Sequence, residues 1–414
     1  MGKHRDILAD VRSQLPAANF FSFFAIALIE FSIPYISVVE FGANSIVVAC
    51  LGVCRFAPQV LLSGLSAHLV GKHDQRSILV MSELFRIIAF LTIASATFLS
   101  SELSLAFFCI SSFLMGFSSI LTAVSISVVV PKVAEGRRRA TLFSHLNIAE
   151  SSADGLGPFL GGVLLGAIGT SLTFSLSALF TAAVLYIFFR FPQLNVSNDL
   201  QNDLSLRSRP KLDRFLFDVR LNFSSKALSA ITIWALVYNF GQSIIESVLL
   251  IAITEDFNLS AHAFGVIKGS AVLFAVVGAY LGAKLRAPLY GGMGISIFGF
   301  LALMSYFFLA IGAFLHGLPS LVLVFIAFAI DELSSGIVLI LVQTFRANIF
   351  SDDIRASATA SYRSINMIAT PLGFLIGGCS GYFFTAENVV MISSVLMIIF
   401  GSIILSSSVR LLKL

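Results

Sequence analysis

Charge is scarce in this chain: Lys, Arg, Asp and Glu together make up 12% of its 414 residues. No polar stretch is long enough to fold as an enzyme domain. The longest, about 190–226, is short and poor in apolar pattern, which excludes a soluble catalytic domain on one anchor. A phosphate-binding loop of the Walker type is missing, so ATP is not the expected energy source. No Ser-His-Asp order and no metal-ligand spacing stands out, so no catalytic residue, metal or cofactor is expected. There are only four cysteines, Cys50, Cys54, Cys109 and Cys379, and all lie inside apolar stretches. They exclude a secreted disulfide framework. Cys50 and Cys54 share a helix face, but small apolar packing residues is the simpler reading. The basic N-terminal segment leads into a long apolar run with no small-residue cleavage pattern, so no cleavable signal is expected.

What the chain has is apolar length. Hydrophobic residues make up 57% of it, and the mean hydropathy is +0.95. About twelve stretches are each long enough to cross ~30 Å of hydrocarbon as a helix. They run near 18–39, 45–67, 77–99, 104–130, 141–168, 170–189, 227–253, 261–283, 291–315, 319–342, 357–383 and 388–408. Lys and Arg outside them fall in alternate connections only. Lys3, Arg5 and Arg12 precede the first span, and Lys72 and Arg76 follow the second. Lys132 and Arg137 to Arg139 follow the fourth; Arg207, Arg209, Lys211, Arg214 and Arg220 follow the sixth. Lys284 and Arg286, Arg346 and Arg355, and Arg410 and Lys413 follow the eighth, tenth and twelfth. The connections near 40–44, 100–103, 169, 255–260, 316–318 and 384–387 carry neither residue. Asp and Glu occur on both sides, so this is a Lys/Arg bias that places both termini in the cytoplasm. A net charge of +4 spread this way is an orientation signal, and no nucleic acid is expected as a partner.

The spans divide six and six: a bundle over 1–189, a cytoplasmic linker over 190–226, and a second bundle over 227–414. Each half carries the same punctuation. Arg139-Ala140-Thr141 precedes Gly161-Gly162 in the fifth span; Arg355-Ala356-Ser357 precedes Gly377-Gly378 at the same spacing in the eleventh. Pro158 and Pro371 lie just before each glycine pair. Two copies of a six-helix unit entering from one side are parallel repeats, expected to enclose a midplane cleft that rocking exposes to each side in turn.

Two motifs add to this. The loop after the second span reads Gly64-Leu65-Ser66-Ala67-His68-Leu69-Val70-Gly71-Lys72-His73, and the fifth span contains Gly157-Pro158-Phe159-Leu160-Gly161-Gly162. The first resembles the signature Gly-x-x-x-Asp-Arg-x-Gly-Arg-Arg of the major facilitator superfamily, and the second resembles the fifth-helix motif of its antiporters. The resemblance covers nearly the whole chain. Both glycines, Gly64 and Gly71, match, as does basic Lys72. His68 stands at the acidic position that in the family helps latch the inner gate, and Ala153 stands at an upstream glycine. Arg55-Phe56-Ala57-Pro58 with Ser82-Glu83-Leu84-Phe85-Arg86 resembles the bacterial drug and siderophore exporter branch. The resemblance implies an all-α fold of twelve transmembrane helices in two six-helix bundles. It also implies a small-molecule substrate and a bacterial inner-membrane setting. By the residues alone, Pro158 breaks a helix hydrogen bond, and Gly157, Gly161 and Gly162 let a neighbouring helix approach closely. A hinge and a tight contact are both open readings.

An ionisable residue at mid-bilayer costs ~3 kcal/mol or more on insertion scales, so each asks for a partner or a job. Glu30 and Arg55 lie at similar depth in the first two spans and are expected to meet. Glu246 and Lys268 are a second candidate pair. For both, a packing pair and a site on the substrate or proton pathway stay open. Glu150 and Asp154 share a helix face just before Pro158. Asp331 and Glu332 are consecutive, so they cannot both point one way. These four have no obvious basic neighbour in sequence, and Asp154, one turn before the proline, is the favoured proton carrier. Glu83 and Arg86 are expected to pair structurally, with Arg86 snorkelling to the membrane surface. Interior acids outnumber bases, which favours a cationic or zwitterionic substrate or proton coupling. The expected function is proton-coupled export of a small organic molecule by a monomer in the bilayer. Uptake of a nutrient or metal chelate is the alternative within transport. A receptor or integral-membrane enzyme is the alternative outside it.

Overall fold

In lipid, backbone N–H and C=O groups must bond within their own segment, and a single apolar run does so only as a helix. The structure is a computed structural model that describes residues 2–134, 136–192, 219–257, 261–285, 291–315, 317–350 and 352–412. Most of the expected 190–226 linker lies outside these residues. Helix α1 spans Gly2–Val39, α2 Ser45–Leu61, α3 Ser63–Lys72, α4 Gln75–Ala96, α5 Ser101–Val133, α6 Gly136–Ile168 and α7 Thr170–Arg190. Then come α8 Lys226–Phe257, α9 Ala261–Leu285, α10 Gly291–Phe314, α11 Leu318–Ile349, α12 Asp352–Phe383 and α13 Ala386–Gly401. A 3-10 turn, Ser402–Leu405, and a short α14, Ser407–Arg410, follow. The described residues contain no strand.

Ten of the expected spans each fall on one helix; 45–67 is divided between α2 and α3, and 388–408 runs from α13 through the 3-10 turn into α14. Among the described residues nine helices are long and apolar enough to cross a membrane, and the pair α2–α3 is a tenth candidate. The expected spans over 261–283 and 357–383 are helical as α9 and α12 but are not among these ten. One expectation is corrected. The segment that follows the second span, expected as a loop from near Gly64, is instead helical to Lys72 as α3, bent 50° from α2. The break falls at Leu62, just before Ser63-Gly64, and Ser63 Oγ donates to Val60 O across it at 2.9 Å. A serine–glycine pair whose hydroxyl bonds back to the preceding turn is an ordinary cause of such a bend.

Local signals set the helix ends. Asp74 Oδ2 accepts from Ser77 N and caps α4, and Asn44 Oδ1 accepts from Val47 N at the start of α2. Gly169 (φ 76°) and Gly317 (φ 71°) turn the chain before α7 and α11, a region where glycine carries no Cβ penalty. At the basic ends of the helices, Arg190 lies over the Tyr186 ring at 4.6 Å and Lys284 over Tyr280 at 4.5 Å. Such stacking lets an apolar stem stay in the bilayer while its charge reaches the surface.

The chain forms two compact units. The first comprises Met1–Phe41, Cys54–Ser208 and Ala261–Val266; the second comprises Gly42–Val53, Arg209–Ser260 and Ile267–Leu414. In the first, α6 packs along α1 and α4 lies against α5 and α7. Its apolar core at one end gathers Leu15, Leu79, Val129, Val130, Val184 and Phe188. In the second, α8 packs on α12 and α13, and α10 on α11 and α13.

Candidate functional site

Three helices of the second unit converge on one carboxylate. Trp234 and Tyr238 are one turn apart and so share a face of α8. Their rings stack at 5.3 Å, and Trp234 Nε1 donates to Gly299 O of α10 at 3.0 Å. Tyr238 Oη donates to Asp331 Oδ1 of α11 at 2.7 Å, and Tyr306 Oη of α10 donates to Oδ2 at 3.0 Å. The two tyrosine rings meet edge to face at 5.9 Å. Asp331 is 8% exposed and Tyr306 is buried. Ser394 of α13 donates to Tyr306 O at 2.8 Å, tying a fourth helix to the cluster. Glu332 and Glu246 are half-buried and close enough for their charges to act on Asp331. The result is a buried acid with a phenol on each oxygen, an aromatic wall, and two further acids nearby.

The first unit carries a polar cluster on its corresponding helices. Arg86 and Glu83 of α4 are both fully buried and form an ion pair. Ser22 Oγ of α1 donates to Glu83 Oε1 at 2.8 Å. From α5, Ser118 Oγ accepts from Arg86 Nε at 3.2 Å and Thr122 Oγ1 from Nη2 at 2.9 Å. Thr122 Oγ1 in turn donates to Ser82 Oγ at 3.0 Å. The expectation that Arg86 snorkels to the surface is corrected: three helices enclose it and supply its partners. The clusters use the first, third and fourth spans of one unit and the seventh, ninth and tenth of the other.

Glu30 and Arg55 do meet. Arg55 Nε lies 3.2 Å from Glu30 Oε1, and Nη2 donates to Oε2 at 3.3 Å. The Arg55 side chain is 12% exposed and that of Glu30 37%. The pair is thus held by one guanidinium–carboxylate hydrogen bond and a second close charge contact. Of the other expected pairs, Glu150 and Glu246 are half-buried. The side chains of Asp154 and Lys268 lie outside the described residues, so neither pairing is seen.

Gly157 and Gly161 of the fifth span face α1. A Cβ built on Gly161 would stand 2.7 Å from Leu28 O, and one on Gly157 would overlap Ala27. Gly162 is buried beside them, Pro158 is half-buried, and α6 continues through the proline. In the second unit, Gly377 of α12 is matched to α8 in the same way, 2.5 Å from Ile244 O. In the bent segment Gly64, His68 and Lys72 are exposed and Gly71 is half-buried.

Sequence reasoning missed Tyr238, Tyr306 and Trp234, and with them Ser22, Ser118 and Thr122. A signal for the first group existed. A tyrosine deep in an apolar span needs a partner for its hydroxyl, and Asp331 was a mid-span acid lacking one.

Long apolar helices with buried polar clusters define an integral membrane protein. Residues 17–315 match the Major Facilitator Superfamily, and the chain belongs to that family. No curated protein sequence matches the chain. Among solved structures, the nucleoside transporter NupG is similar at a TM-score of 0.68 and 14% identity, over 94% of this chain and 97% of that one. A POT family transporter in complex with a thioalcohol-conjugated peptide is similar at 0.69 and 15% identity, over 95% of each chain. The human organic anion transporter MFSD10 is similar at 0.61 and 17% identity, over 96% of this chain and 99% of that one. At these identities the likeness establishes the major facilitator fold.

Proposed function

We propose that this protein is a secondary active transporter that works by alternating access and couples proton movement to export of a small organic molecule. The observation that carries this reading is Asp331, buried between two tyrosine hydroxyls with Glu246 and Glu332 close by. A carboxylate held by donors on both oxygens keeps its place whether or not it carries a proton, which suits a group that must load and release one. The surplus of acid and the aromatic wall of Trp234 and Tyr238 suit an organic cation or zwitterion, because aromatic faces attract cations. Glu30 is bound by Arg55 and is therefore assigned to orientation rather than to proton carriage. Glu150 and Asp154 remain candidates on the proton pathway, and Glu246 and Lys268 on the substrate pathway. Export is the proposed direction because Gly157 to Gly162 resembles the antiporter motif. The basic connections and both termini are proposed to face the cytoplasm of a bacterial inner membrane.

The test is flux in proteoliposomes. An imposed pH gradient should drive at least one of an organic cation, a zwitterionic amine and an iron-free siderophore, and dissipating the gradient should stop it. Movement that follows only the solute's own gradient, at the same rate with and without a pH difference, contradicts proton coupling.

A further inference from the structure

A cavity of ≈ 530 Å3 opens where the first turn of α8 meets the end of the last span, away from Asp331. Lys226, Ser225 and Ser229 line it on one side, and Ser406, Ser408 and apolar Ile403 on the other. Lys226 is exposed and has no carboxylate partner among the described residues. It is also the first residue of an apolar span, which sets the cavity at the depth of the headgroups. Arg410, likewise exposed, follows Ser408 on the same short helix. Beside this polar rim the surface is apolar: Phe223, Leu405 and Leu411 are exposed. One cation, a set of hydroxyls and an apolar wall at a bilayer surface match one kind of molecule. The ammonium and hydroxyls answer a phosphate, and the apolar flank answers an acyl chain. A soluble phosphate has no use for the apolar part.

We infer that this cavity binds the phosphate headgroup of an anionic phospholipid in the leaflet on the side of the basic connections. The inference concerns binding only, so it stands or falls apart from the proton-coupled reading of Asp331. The experiment is native mass spectrometry of the full chain in detergent, titrated with phosphatidylglycerol, phosphatidylcholine and inorganic phosphate. Lys226→Ala should weaken phosphatidylglycerol binding about fivefold, the worth of one basic residue at a membrane surface. Phosphatidylcholine binding should not change, and Lys226→Arg should bind nearly as the unmodified chain does. Ser408→Leu, which fills the cavity and leaves the charge alone, should also weaken binding; gel filtration checks that each variant is folded. If Lys226→Ala holds phosphatidylglycerol as tightly as the unmodified chain, the inference is wrong. If inorganic phosphate at equal concentration displaces the lipid, the site takes a soluble anion and the lipid assignment fails.

Discussion

Arg86 shows what a buried charge demands. Its guanidinium is held by Glu83, Ser118 and Thr122 in a place without solvent. Removing one member of such a pair strands the other, at a cost of ~3–5 kcal/mol. Arg86→Met should therefore lower the melting temperature and the folded yield sharply. The double variant Arg86→Met with Glu83→Gln should recover much of that loss, because no bare carboxylate remains. A double variant as unstable as the single one would mean that the hydroxyl network, and not the charge pair, sets the stability. Tyr306→Phe should cost less, ~1–3 kcal/mol, because it leaves only Asp331 Oδ2 without its donor; thermal unfolding in detergent measures it. These residues also show the reach of sequence reasoning. The Glu83–Arg86 pair was legible because its members are three apart on one helix. Its enclosure was not legible, because Ser22 and Thr122 come from other helices. Asp331 was legible as a mid-span acid, but its tyrosine partners lie 93 and 25 positions away in the chain, and no local pattern links them.

Helices were the most legible part of the chain, because a long apolar run in lipid has one way to satisfy its backbone. What an apolar run does not encode is where a helix bends. The segment from Gly64 to Lys72 is polar enough to read as a loop, yet its backbone closes as α3. The glycine motif of the fifth span was legible as a close contact, but which helix it meets was not. The structure sets it against α1. Contact geometry separates the two kinds of glycine in this chain. Gly161→Leu forces a side chain onto Leu28 O, and Gly377→Leu forces one onto Ile244 O. Both variants should insert into the membrane yet lose transport and elute as less compact particles. Gly64 has nothing within 4 Å of a built Cβ, so Gly64→Ala should retain normal yield and flux. Fluorescence-detected gel filtration and a flux assay on the three variants check this. Full activity in Gly161→Leu would reduce the motif to a coincidence of spacing.

At the level of the molecule, the Lys/Arg bias has no exception among the connections, and it predicts which side each faces. In a chain whose four cysteines are replaced, a membrane-impermeant thiol reagent added outside should label Ser101→Cys and leave His73→Cys unlabelled. Both positions are exposed in the structure, so accessibility reports the side. The opposite pattern would invert the assigned orientation. The central claim is that Asp331 carries the coupled proton, and it is tested most directly in proteoliposomes. Whichever solute the unmodified chain moves is followed twice: as flux driven by an imposed pH gradient, and as exchange of labelled for unlabelled solute without one. Asp331→Asn keeps the shape of the side chain and cannot ionise; its amide oxygen still accepts from one tyrosine, while the other hydroxyl must turn to accept from the amide nitrogen. The account predicts that this variant loses pH-driven flux while exchange persists. Equal pH-driven flux in Asp331→Asn and the unmodified chain would contradict it.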